Sequence, residues 1–105
     1  MIFEPGKRYR ISRYSWFLFP SLETATIPSN ACAARVLGPA AMASYWSKQL
    51  NCDVSFLNEG DVIMVVEITG IQVKVVNQEG QSGWINFPAD EAWTEDTITE
   101  ISNDA

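Results

Sequence analysis

The feature that most constrains this chain is the succession of short β-favouring runs in its second half, each ended by a turn-forming cluster. Val62-Ile63-Met64-Val65-Val66-Glu67-Ile68 is rich in β-branched residues and reads as a strong, largely buried strand. Thr69-Gly70 then makes a hairpin turn, and Val73-Lys74-Val75-Val76 is the return strand. Asn77-Gln78-Glu79-Gly80-Gln81-Ser82-Gly83 turns the chain again into Trp84-Ile85-Asn86-Phe87, which Pro88-Ala89-Asp90-Glu91 stops. Upstream, Val54-Ser55-Phe56-Leu57 leads into the Asn58-Glu59-Gly60-Asp61 turn. Downstream, Thr97-Ile98-Thr99-Glu100-Ile101 reads as the last strand. Short strands with turns every ~8–12 residues describe a small antiparallel barrel.

The first half is patterned differently. Lys7-Arg8-Tyr9-Arg10-Ile11 follows a Pro5-Gly6 turn and alternates polar with apolar, which puts Tyr9 and Ile11 on one face of a strand. The aromatic-rich stretch from Tyr14 to Phe19 reads as a second strand or a continuation of the first. Pro20, Pro28 and Pro39 break residues 20–39, which are expected to be mostly loop. Met42, Tyr45, Trp46 and Leu50 then recur at helical spacing, so a short helix is expected over about 40–50, opened by Pro39 and ended at Asn51, with alanines on its exposed side. At 105 residues the whole chain, 1–105, is expected to be a single domain.

Composition removes much chemistry. The chain has no histidine, which excludes Ser-His-Asp and Cys-His catalysis and imidazole zinc sites within it. Cys32 and Cys52 form no CxxC pair and read as reduced, half-buried thiols. No apolar run approaches the ~18–20 residues of a membrane span, and no basic stretch precedes an apolar one at the N-terminus, so the expected setting is cytoplasmic, without a membrane. The net charge of −6 is uneven: Lys7, Arg8, Arg10, Arg13, Arg35 and Lys48 lie in the first half, whereas Lys74 is the only cation of the second. Charge complementation within the fold is one reading of this asymmetry, and a basic and an acidic face that orient a partner is the other.

The second half resembles an SH3-like barrel over roughly residues 53–101. Val54-Ser55-Phe56 followed by Glu59-Gly60-Asp61-Val62-Ile63-Met64-Val65 is similar to the diverging turn and second strand of that family. Val73-Lys74-Val75, Gly80 and Gly83-Trp84-Ile85 resemble the bacterial pattern of a hairpin closed by Gly-Trp-Val, and Pro88 and Trp93 stand where such folds carry a proline and an aromatic. The implied fold is mainly β, an SH3-like antiparallel barrel elaborated by a long insertion (about 20–53) with one short helix. Gly60 and Gly83 would allow its sharp bends. Val62, Ile63, Val65, Val75, Trp84 and Ile85 are the expected interior. Gln72-Val73-Lys74 occupy the region of the exposed tryptophan with which peptide-binding members grip polyproline, so that activity does not carry over.

No enzyme constellation is visible. The acidic cluster Asp90, Glu91, Glu95 and Asp96 around Trp93 matches no calcium loop and no paired-carboxylate arrangement, so neither metal nor cofactor is expected. Twelve aromatics exceed what one small barrel core needs, and Trp16 and Phe17, adjacent in a strand, should face opposite ways. One of them is then partly exposed, unless the 20–53 segment covers it. These residues lead to a non-enzymatic module that binds a protein partner, or a second copy of the chain, through Tyr14, Trp16, Phe17, Phe87, Pro88 and Trp93. The alternative is a nucleic-acid-binding barrel in which Lys7, Arg8, Arg10 and Arg13 contact phosphates beside Tyr14 or Trp16. The net charge of −6 weighs against it.

Overall fold

A computed structural model describes residues 3–13, 16–26, 39–86 and 98–101. In chain order the elements are β1 (Arg8–Ile11), β2 (Trp16–Leu18), α1 (Leu22–Thr26), α2 (Pro39–Leu50), β3 (Ser55–Leu57), β4 (Val62–Thr69), β5 (Gln72–Asn77), β6 (Ser82–Asn86) and β7 (Ile98–Ile101). The strands form a five-stranded antiparallel sheet in the order β6-β5-β4-β1-β7 and a two-stranded antiparallel sheet of β2 and β3. The chain is therefore mainly β. The two sheets are seamed by a bridge between Phe19 and Trp84, whose N–H groups donate to each other's carbonyls at 2.8 and 2.7 Å. Among the described residues the strand pairing does not close into a ring, in contrast to the expected barrel.

Two hydrophobic layers follow from this seam. Tyr9, Ile11, Ile63, Val65, Val73, Val75 and Ile85 on one face of the large sheet meet Trp16, Leu18 and Leu57 of the small one. The opposite face of β2, with Phe17 and Phe19, packs with Ala25, Met42, Ala43, Val54 and Trp84. The β2–β3 sheet thus lies between the large sheet and the helices. Each large apolar side chain buried in these layers contributes about 1.5–3 kcal/mol.

This arrangement decides one expectation left open and corrects three others. Both Trp16 and Phe17 are buried, at 1% exposure each, because the helical insertion covers the β2 face that would otherwise meet water. Trp84 faces the helix-side layer rather than the interior shared by Val75 and Ile85, since it pairs with Phe19 across the seam; Val62 is only half-buried. Gly83 marks a close approach, not a bend: a Cβ there would meet the Leu18 side chain. Gly60 does use its freedom, with φ +94° in the Asn58–Asp61 turn.

The third correction is α1, a second helix in a segment expected to be mostly loop with one short helix over about 40–50. Ser21 caps it: the Thr24 N–H donates to Ser21 Oγ and the Ser21 N–H donates to Thr24 Oγ1, both at 3.3 Å. This reciprocal pair has the form of a capping box, and the proline count concealed it. The α2 helix begins at Pro39 as expected. It ends at Asn51, whose φ of +52° lets the Cys52 N–H reach back to the Ser47 carbonyl at 3.2 Å. Met42 and Ala43 are buried, Trp46 and Leu50 are packed against them, and Tyr45 stands out at 48% exposure, edge-on to Trp46.

Candidate interaction surface

Strand alternation sorts the basic segment cleanly. In β1 Tyr9 and Ile11 point into the core, while Arg8 and Arg10 are exposed on the other face; Arg13, just beyond, is also exposed. Lys7 is bound to acids from both halves of the sequence: its Nζ lies 2.9 Å from Glu4 and 2.9 Å from Glu100, which raises its pKa above the ordinary lysine value. The Tyr9 hydroxyl accepts the Glu4 N–H at 2.8 Å, and burial pushes its pKa up.

The four cations expected to bind anions are thus not equivalent. Lys7 links β1 to β7, and Arg8 and Arg10 share one sheet face. Of the aromatic partners expected beside them, Trp16 is in the core and Tyr14 lies outside the described residues. Among the expected protein-binding residues, Trp16 and Phe17 are interior, and Phe87, Pro88 and Trp93 lie outside the described residues, as do the Asp90–Asp96 acids and Cys32. Cys52 is a half-buried free thiol.

The open surface lies elsewhere. Register places Val76, Met64, Arg8 and Ile101 in one row across β5, β4, β1 and β7, on the face opposite the core. Neighbouring side chains in such a row are about 5 Å apart. Arg8, Val62, Met64 and Val76 help to line an open groove of about 350 Å³. Met64 is 40% exposed and Val66 44%. Val66 is exposed because the β4–β5 register shifts between Val65 and Glu67, a bulge that turns Glu67 and Lys74 outward together.

The same sheet face carries Trp84 at its β6 end, where α1 and α2 cover it. The insertion shields one half of that face and leaves the half around Met64 and Arg8 to solvent. Sequence reasoning missed Met64, Val66 and Val76 because the unbroken apolar run 62–66 reads as a strand buried on both faces. The signal that could have found them is the alternation of Val73-Lys74-Val75 next door, which marks a sheet with one wet face.

Among the described residues, no group of three or more His, Cys, Asp or Glu side chains converges to hold a metal, and no helix is long and apolar enough to cross a membrane. No protein-family model, no curated protein and no solved structure matches the chain.

Proposed function

We propose that this chain is a non-enzymatic protein-interaction module of SH3-like architecture, with the open half of its large sheet as the binding face. The observation that carries the reading is the outward row Val76–Met64–Arg8, where Met64 stays 40% exposed beside the half-buried Val76 on a sheet whose other half is covered. An exposed apolar groove beside a guanidinium is the composition of an interaction surface rather than of a solvated face. The SH3-like part of the proposal is supported by the strand order, in which β7 returns beside β1 after the β4–β5–β6 meander. The insertion then lies between the first strand and that meander, as the resemblance implies. A reducing, cytoplasmic setting belongs to the same reading and agrees with the free thiol of Cys52.

Nucleic acid is the weaker ligand. Trp16, one of the two rings expected to stack on bases, is 1% exposed, and the chain carries a net charge of −6. The test is affinity capture from an extract of the protein's own host, using the parent chain and Met64→Asp. Met64 is exposed, so the variant is expected to keep its melting temperature within about 2 °C. A protein retained by the parent and lost with Met64→Asp is the expected result. A partner held equally by both would place the binding face elsewhere.

A further inference from the structure

The charges around the open groove differ in sign from the chain as a whole. Arg8 helps to line the groove, and Arg10 follows two positions along β1 on the same face, opposite Val62. Lys74 faces the same side from β5, opposite Glu67 beyond the bulge. Among the described residues, Arg8 is the only charged residue that lines the groove, beside Val62, Met64 and Val76 and the polar Asn77 and Gln78, whose amide donates to Asp61 Oδ1 at 3.3 Å. A chain of net charge −6 therefore presents a local basic and apolar stripe.

Resting on the interaction reading above, we propose that the groove takes an acidic amphipathic segment of a partner protein, with an apolar side chain seated between Met64 and Val76 and carboxylates paired with Arg8 and Arg10. The geometry and chemistry agree. A guanidinium receives a carboxylate through paired N–H···O bonds, which fixes orientation as well as charge. Methionine is unbranched and polarisable, so Met64 adapts to different apolar anchors. Arg8 and Arg10 stand about 7 Å apart along the strand, the spacing of alternate residues in an extended partner segment. A nucleic acid would use the same two guanidiniums, but it would find no exposed ring beside them among the described residues of β1 and β2.

The test is a titration of the isotope-labelled full chain, followed by amide chemical shifts. The probes are a soluble peptide of about twelve residues with two leucines among glutamates, its lysine and serine counterparts, and an oligothymidine of similar length. The acidic peptide is expected to shift the amides of Arg8, Arg10, Val62, Met64 and Val76. Arg8→Gln combined with Arg10→Gln should weaken it at least about tenfold while the spectrum keeps its native dispersion. The lysine peptide should leave these amides unmoved.

Equal or tighter binding of the lysine or serine peptide to this face overturns the acidic preference and leaves the interaction face standing. Oligothymidine shifting these amides in place of the peptides overturns both readings. Shifts that follow dilution of the protein alone identify a second copy as the occupant and overturn the inference. Silence of the face toward every peptide also overturns it, and the Met64→Asp capture then decides the interaction reading separately.

Discussion

Gly83 lies so close to Leu18 that a Cβ on the glycine would stand 2.6 Å from the leucine Cγ. The same Cβ would sit 2.9 Å from the Phe19 carbonyl oxygen, in the seam that joins β2 to β6. Neither neighbour can retreat freely, since Leu18 is buried and the Phe19 carbonyl accepts the Trp84 N–H. Gly83→Ala is therefore expected to destabilise the fold by about 1–3 kcal/mol through overpacking. Denaturant unfolding measures it, and a change below about 0.5 kcal/mol would show that the seam opens without strain.

Trp84 and Phe17 face each other's layer under the helices, at 8% and 1% exposure. Truncating either to alanine should cost about 3–5 kcal/mol of stability. For Phe17 this is the decisive contrast with a binding role, because a partner-contacting ring would lower affinity and leave stability unchanged. Unfolding midpoints of the two variants measured side by side settle which description holds.

The strands were readable from sequence because glycine turns punctuate them. Gly70 marked the β4–β5 hairpin, although its turn is Gly70-Ile71 and the expected turn residue Thr69 is the last of β4, paired with Gln72; the period of Tyr9 and Ile11 showed which face of β1 is inside. The α2 helix was readable from Met42, Tyr45, Trp46 and Leu50 at helical spacing, although Tyr45 of that set is 48% exposed and Ala43, expected on the outside, is buried. What could not be read was the layer each strand serves. Trp16 and Phe17 point opposite ways, as strand residues must, yet both are buried because β2 has a sheet on one side and helices on the other. No local pattern encodes that second cover. The open face escaped for the converse reason: Met64 and Val66 are as apolar as Val65 between them, and what leaves them wet is the position of α1 and α2 for Met64 and the register shift after Val65 for Val66.

Tyr9 gives the fold an alkaline limit. Burial raises its pKa above the ordinary 10.0, against the opposing effect of the Glu4 N–H bond. Folding then holds the phenol proton more tightly than the unfolded chain does. Stability from this group is complete below the ordinary tyrosine pKa and is lost as pH rises from there through the higher folded value. Unfolding free energy should fall above pH ~10, and Tyr9→Phe should flatten that slope. An unchanged slope in Tyr9→Phe would assign the loss to other groups.

Ser47 ties α2 to the strand that follows. Its hydroxyl donates to the Ala43 carbonyl at 2.8 Å and accepts the Val54 N–H at 2.9 Å. Ser47→Ala leaves the N–H of a buried residue without its acceptor, and a loss of about 1–3 kcal/mol is expected. Hydrogen exchange at the Val54 amide checks the cause, since its protection should fall more than that of Val75 in the sheet.

The strand order also dictates a sequence of events in time. β4, β5 and β6 follow one another through short turns, so their pairing closes only small loops. β1 reaches β4 only by bringing together segments about fifty residues apart, with both helices in between, and β7 joins later still along the chain. The meander is thus the natural nucleus, and the β1 seam, the strand that carries Arg8 and Arg10, is the late step. Substitutions at Val75 should slow refolding, whereas those at Ile11 should mainly speed unfolding. The groove exists only after that last docking, so the chain acquires its binding face at the end of folding and loses it first when the sheet begins to open.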